Sequence, residues 1–185
     1  NWIINKYTVT YKVDGEVVDT VEVEHGKDAT APEIPAKAGH TAAWDKDGKN
    51  ITADTEINAV YTINKYTVTY KANGKVVKTV EIEHGKDATA PEIPAKAGHT
   101  AAWDKDGKNI TADTSIHAVY TVNQYTISFD TDGGSAIAGI TQDYGTVVTA
   151  PAAPSKTGYT FSGWEAAIPA TMPAGDMNIT ANWKI

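Results

Sequence analysis

The sequence repeats itself, and that periodicity limits the possible folds more than any single residue does. Asn5–Ile63 and Asn64–Val122 align without a gap over 59 residues and differ at eight positions only: 13, 14, 16, 19, 23, 56, 58 and 63 of the first copy. A third, diverged copy spans Asn123–Ile185 and is four residues longer. It places Tyr125-Thr-Ile-Ser-Phe129 where Tyr7-Thr-Val-Thr-Tyr11 stands, and Ala150-Pro151 where Ala31-Pro32 stands. Gly158, Trp164, Ala181 and Trp183 then correspond to Gly39, Trp44, Ala59 and Tyr61. The expected organisation is therefore repeat 1 at 5–63, repeat 2 at 64–122 and repeat 3 at 123–185. Residues 1–4 read as the tail of a preceding copy, because Trp2-Ile3-Ile4 matches Tyr61-Thr62-Ile63 one period later. The chain is expected to be a piece of a longer array.

Within each copy the pattern is that of strands. Tyr7, Val9 and Tyr11 alternate with Thr8 and Thr10, as in a half-buried strand, and Val21, Val23 and His25 alternate with Thr20, Glu22 and Glu24. Leu is absent and Thr numbers 25, a balance that favours sheet over long helices. Asp14-Gly15 and Asn73-Gly74 mark the hairpin turn. A three-residue loop with Gly15 as the left-handed bulge residue sets Val9 against Val21, Tyr7 against Val23 and Lys6 against Glu24. A two-residue loop at Asp14-Gly15 would instead set Val9 against Thr20 and Tyr7 against Glu22, mixing the faces. The Gly26–Pro35 stretch carries two prolines three residues apart, which disfavours a long helix and leaves room for one helical turn. Gly39–Trp44 and Glu56–Tyr61 read as two further strands. Only Thr62–Lys65, with no Gly, Pro or Ser, lies before Tyr66 of the next copy, so the units are expected to be held in a fixed relation, as an elongated array.

Composition removes several classes of function. No Cys is present, so there are no disulfides, thiolate metal sites or thiol nucleophiles. All 16 cationic side chains are Lys, against 23 acidic ones, for a net charge of -7. An acidic chain without Arg is poorly suited to nucleic acid. No apolar run reaches the length of a membrane span, and no sorting or lipidation motif occurs, so any targeting segment is expected outside these residues.

Gly158-Tyr-Thr-Phe-Ser-Gly-Trp164, preceded by Tyr144-Gly145 and Ala150-Pro151, resembles the InlB B-repeat, or Listeria-Bacteroides repeat. The close of the unit, Met172-Pro173 through Asp176 to Ile179-Thr-Ala-Asn-Trp183, is similar to that family's ending. The first two copies look like a shorter version, with His40 and Ala42 where the family has Tyr and Phe. The resemblance covers essentially the whole chain. It implies mainly β, β-grasp-like small α+β units in a bacterial surface protein, serving as stalk or interaction modules, with no catalytic residues to carry over.

Each residue that invites a chemical role has a structural reading beside it. His25 and His40 recur as His84 and His99, but Tyr144 and Tyr159 hold these positions in the third copy. A metal or acid–base site does not survive exchange for Tyr, whereas a ring packed at a strand end does. Asp45-Lys-Asp47-Gly48, repeated at Asp104–Gly107, invites a weak calcium site, yet its Gly falls at position four instead of six and no bidentate Glu follows at twelve. An Asp/Gly turn explains it. Trp44, Trp103 and Trp164, one per unit, read as core residues before they read as a glycan platform. The Asn-Ile-Thr triplets at Asn50, Asn109 and Asn178 match a glycosylation pattern of little weight in a bacterial protein. A Lys6–Asn58 isopeptide bond is a further candidate, but His117 replaces the Asn in the second copy, so no crosslink is expected. No catalytic, cofactor-binding or metal residue is assigned, and no enzyme or cofactor is expected.

Charge varies sharply between copies: -5, +1 and -3 in order, counting Lys against Asp and Glu. Glu16, Asp19 and Glu56 become Lys75, Lys78 and Ser115. A repeated ligand bound through these positions would not accept both signs. The expected function is a structural stalk or spacer of an adhesin-like extracellular protein. The alternative is a repeated binding module for a host protein or glycan, or self-association through sheet edges.

Overall fold

A computed structural model describes residues 3–185. It contains twelve strands, and no helix occurs among the described residues. Repeat 1 supplies β1 (Lys6–Val13), β2 (Glu16–Glu24), β3 (His40–Trp44) and β4 (Thr55–Ile63). Repeat 2 supplies β5 (Lys65–Ala72), β6 (Lys75–Glu83), β7 (His99–Trp103) and β8 (Thr114–Val122). Repeat 3 supplies β9 (Gln124–Asp130), β10 (Ile140–Asp143), β11 (Thr160–Trp164) and β12 (Met177–Lys184). Each set forms one four-stranded sheet, in the orders β2-β1-β4-β3, β6-β5-β8-β7 and β10-β9-β12-β11. The chain divides into two compact units, Asn1–Thr69 with Lys78–Ala90 and Gly107–Ser115, and Tyr70–Val77 with Pro91–Asp106 and Ile116–Ile185. Repeat 1 lies wholly in the first unit and repeat 3 wholly in the second.

The first sheet shows how the pattern becomes a core. β1 and β2 are antiparallel, with Tyr7 opposite Val23, Val9 opposite Val21 and Lys6 opposite Glu24, the register expected from the alternation. The closing turn differs from the expectation. Val13 pairs with Glu16, leaving a two-residue loop in which Asp14 (φ 49°) and Gly15 (φ 86°) are both left-handed, the geometry that matches strand twist. The extra residue is Val18, further along β2, where the register shifts between Tyr11 and Lys12. A bulge was needed to keep the faces aligned, and it lies in the strand rather than the turn.

β1 and β4 run parallel, Val9 beside Thr55 and Tyr11 beside Ile57. A parallel pair requires a long crossover. Here it is the proline segment followed by β3, with no helical turn, because the Lys27 carbonyl and the Ala29 N–H are engaged across the chain. The start of this segment is instead tied to the loop before β4: Ala29 N–H donates to the Gly48 carbonyl (2.8 Å), and Ile51 N–H to that of Lys27 (2.8 Å). β3 pairs antiparallel with β4, from His40 opposite Ile63 to Trp44 opposite Ala59.

Val9, Tyr11, Val23, Ile51 and Ile57 form the core of repeat 1, with Tyr7, Val21, Ala29 and Trp44 packed against it. Repeat 3 builds its core from Ile127, Val148, Met172 and Ile179, flanked by Phe129, Trp164, Ile168 and others. Five buried side chains in the first of these cores and four in the third, each contributing about 1.5–3 kcal/mol, leave little surplus, so each large ring matters. Of the expected preceding tail, Asn1 and Trp2 lie outside the described residues; Ile3 and Ile4 are exposed.

Candidate functional site

The most specific construction in the molecule is the joint between successive repeats. In the first joint, Asn64 N–H donates to the Gly39 carbonyl (2.8 Å), and the Asn64 carbonyl accepts from His84 N–H (2.8 Å). Thr41 Oγ1 donates to Asn64 Oδ1 (2.7 Å). The His84 ring then lies directly on Gly39: a Cβ there would sit 2.2 Å from His84 Cδ2, closer than any real contact. The second joint repeats this with a different ring. Asn123 N–H donates to Gly98 (2.8 Å), Tyr144 N–H to Asn123 (2.9 Å), and Thr100 Oγ1 to Asn123 Oδ1. A Cβ on Gly98 would meet the Tyr144 ring at 2.1 Å. Gly39 (φ 70°) and Gly98 (φ 68°) are also left-handed, so a side chain is opposed by backbone and by space alike.

This places the histidines. His84, and Tyr144 at the matching position, are the rings seated between repeats, and the first copy's His25 lies against its own Tyr7 at 5.8 Å. His40 and His99 bond through Nδ1 to the carbonyls of Ala38 (2.9 Å) and Ala97 (2.8 Å) and meet Tyr61 and Tyr120 edge-on. Packing explains why Tyr substitutes for His in the third copy. No group of three His, Cys, Asp or Glu side chains in metal-holding proximity occurs among the described residues.

The acidic turns are occupied with the fold itself. Asp45 accepts from Asn58 N–H (2.8 Å) and Asn58 Nδ2 (3.3 Å), pinning the end of β3 to β4. The backbone N–H of Asn58 is the main reason its carboxyl titrates below the usual range. Asp104 is held low in the same way by His117 N–H, at 2.7 Å. Asp47 caps Lys49 N–H (3.1 Å). Asn50 and Asn109 are left-handed turn residues, and Asn178 lies within β12. Asn58 is opposite Lys12 in the sheet, and Lys6, at the far end of β1, approaches Glu22 (3.9 Å) instead, so the Lys6–Asn58 pair is not brought together.

Each tryptophan closes one edge of its unit. Trp44 Nε1 donates to the Pro32 carbonyl (3.1 Å) while its ring meets Tyr11 edge-on at 5.0 Å. Trp103 repeats this with Pro91 (3.1 Å) and Tyr70 (5.0 Å). Trp164 packs on Phe129 (5.1 Å) and Phe161 (5.3 Å). All three are half-buried, which suits a lid over the core more than a free platform.

Sequence reading passed over one recurring group. Asp54, Asp113 and Asp176, each just before the last strand of its unit, accept from Thr8, Thr67 and Thr126 N–H, all at 2.8 Å. The β1–β4 ladder begins at Val9 and Thr55, so the Thr8 N–H would otherwise be unpaired. The signal was present as an Asp at the same place in all three copies. Beside it, Thr8, Thr10, Asp54, Thr55 and Glu56 line an open groove of about 450 Å³. Its counterpart in repeat 2, lined by Thr67, Thr69, Asp113, Thr114 and Ser115, is about 340 Å³ and lacks the second carboxylate.

The Listeria-Bacteroides repeat domain matches three times, at residues 7–65, 66–123 and 125–181. The chain belongs to this family. Among relatives of this Listeria-Bacteroides repeat chain, a putative membrane protein of Evansella cellulosilytica is 35% identical over 187 residues, covering 88% of this chain and 28% of its own length. A putative Gly-rich membrane protein of the same organism is 32% identical over 216 residues, covering 100% of this chain and 25% of its own length. Internalin H of Listeria monocytogenes is 30% identical over 139 residues, 64% of this chain and 25% of its own. The chain thus spans about a quarter of the length of these relatives. A solved structure, Streptococcal High Identity Repeats in Tandem (SHIRT) domains 3-4 from a cell surface protein, shares 18% identity over 62% of this chain and 96% of its own. Its TM-score is 0.23. No helix among the described residues is long and apolar enough to cross a membrane.

Proposed function

We propose that this Listeria-Bacteroides repeat chain is a spacer: a tandem-repeat stalk segment of a bacterial cell-surface, adhesin-like protein. The observation that carries the reading is the joint. The same Gly, Asn and Thr, with a ring residue, make the same contacts in both junctions, so successive units are fixed by a built contact and not by a loose tether. A spacer needs that property, while a string of independent binding modules does not. The sign changes at the hairpin tip and in the groove point the same way. Under this reading the chain carries out no reaction, requires no cofactor, and is held at the surface by segments of its parent protein. Each unit is read as a β-grasp-like sheet whose crossover is an extended proline segment.

The second reading, a repeated binding module, has one observation in its favour. Edge strand β2 exposes Val17 and Val18, and β6 exposes Val76 and Val77. An edge can accept a strand from a partner. The same edges carry Glu16, Asp19, Glu22 and Glu24, or Lys75, Lys78, Glu81 and Glu83, the charged edge that discourages pairing.

Surface display separates the two. Converting repeat 1 to the charges of repeat 2 (Glu16→Lys, Asp19→Lys, Glu56→Ser) in the parent protein should leave adhesion unchanged, whereas deleting 64–122 should shorten the reach of the display by one unit. Loss of adhesion on the charge exchange alone would favour the binding module.

A further inference from the structure

We propose that Gly158, with Tyr159 and Thr160, is an open seat for the flat ring of another repeat joined in series after Ile185. The two filled seats define what such a site requires. Gly39 and Gly98 are left-handed glycines, each followed by a ring residue (His40, His99) and a threonine (Thr41, Thr100) that donates to the joint asparagine. The third repeat has all three features: Gly158 is left-handed (φ 82°), and Tyr159 and Thr160 follow it. The difference is the occupant. A Cβ on Gly39 or Gly98 would collide with a ring, but on Gly158 it would meet no atom within 4 Å. Gly98 is buried, while Gly158 is exposed and Tyr159 is 44% exposed.

A positive φ alone would account for glycine at a turn, so the backbone does not decide the matter. Continuity with the two built joints does. Ile185 aligns with Ile63 and Val122, so the next position in register is that of Asn64 and Asn123, whose N–H groups bond Gly39 and Gly98. The complementary ring is also present, at His25. In the first repeat His25 N–H donates to the Asn5 carbonyl (2.8 Å), as His84 does to Asn64, and the His25 ring is exposed beside Tyr7. The repeat therefore carries a ring on one face and a glycine seat on another, a head-to-tail contact that does not use itself up. Imidazole and phenol both fit, as His84 and Tyr144 show. This inference holds whether the array is a spacer or a binder.

The test appends the chain's own Asn64–Val122 sequence directly to Ile185 of the full chain and follows it by NMR and amide exchange. The Gly158 α-protons should move upfield toward the shifts of Gly39 and Gly98, and the N–H of the appended asparagine should gain protection of roughly tenfold or more. Replacing the appended copy's counterpart of His84 by alanine, which leaves the third repeat untouched, should return Gly158 to its unextended shift. Gly158→Ala should abolish the new protection while leaving the Phe129 and Trp164 signals of repeat 3 in place, and Gly98→Ala in the unextended chain serves as the filled-seat control. The proposal is overturned if Gly158 is unmoved by a folded extension, or if Gly158→Ala leaves the new joint as protected as before.

Discussion

In the first repeat β1 and β2 form a long hairpin over Asp14–Gly15, whereas in the third β9 stops at Asp130 and the chain wanders through Thr131–Gly139 before the four-residue β10. The third repeat replaces the lost ladder with side chains. Trp183 Nε1 donates to the Thr131 carbonyl (3.1 Å), and its ring covers Gly134. Lys156 Nζ donates to the Asp132 carbonyl (2.6 Å) and lies 4.7 Å over the Tyr159 ring. Tyr61, at the position of Trp183, instead reaches the Pro35 carbonyl through its hydroxyl (2.7 Å). Both repeats keep the same sheet order, the same parallel central pair and the same aspartate cap. The hairpin tip is thus where this unit tolerates redesign, while the central pair and the joint are where it does not.

The largest effect should be shared by both repeats. Trp44→Ala and Trp164→Ala each remove the ring that closes the core, and each should cost roughly 3–5 kcal/mol and unfold its own repeat first, as read by denaturant melting. A much smaller cost in only one of them would break the equivalence. The next effect should be confined to the third repeat. A Cβ on Gly134 would lie 2.5 Å from Trp183 and 3.1 Å from the Ser155 carbonyl, so Gly134→Ala should cost about 1–3 kcal/mol. Gly15→Ala at the first repeat's tip meets no atom within 4 Å and should cost only its left-handed backbone, about 1 kcal/mol.

A substitution toward the third repeat should improve the first. The Tyr11 hydroxyl is buried with no hydrogen-bond partner among the described residues, and desolvation, followed by the charge of Asp19, raises its pKa. Phe129 occupies that place in repeat 3. Tyr11→Phe should therefore stabilise repeat 1 by about 1 kcal/mol, and Phe129→Tyr should weaken repeat 3, both measured by thermal melting. The smallest effect concerns acid. The Asp45 carboxyl is held low by Asn58 N–H, so its contribution is present above the unfolded-state pKa and lost as pH falls through the folded one. Repeat 1 should weaken below about pH 4, and Asp45→Asn should flatten that limb of the stability–pH curve.

Much of this was legible in the sequence. The strand alternation of Tyr7–Tyr11 against Val21–Val23 carried the register, and the exchange of His84 for Tyr144 pointed to a packed ring. The place of the bulge was not legible, because Asp14-Gly15 serves equally as a two-residue turn or as part of a longer one. The joint was hidden for another reason: Gly39 and His84 are far apart in sequence, and each has a sufficient local explanation, one as a turn glycine and the other as a strand end. The aspartate caps were readable but overlooked, since Asp54 looks like an ordinary loop residue until the Thr8 N–H is seen to need an acceptor.

The spacer reading is tested most directly by small-angle X-ray scattering of the 185-residue chain. A spacer of three units in series, each about 25–30 Å long for strands rising roughly 3.3 Å per residue, would have a radius of gyration of about 25 Å. The account predicts a value near that figure, unchanged by millimolar calcium or by chelator. A value near 16 Å, that of a compact chain of this length, would contradict it.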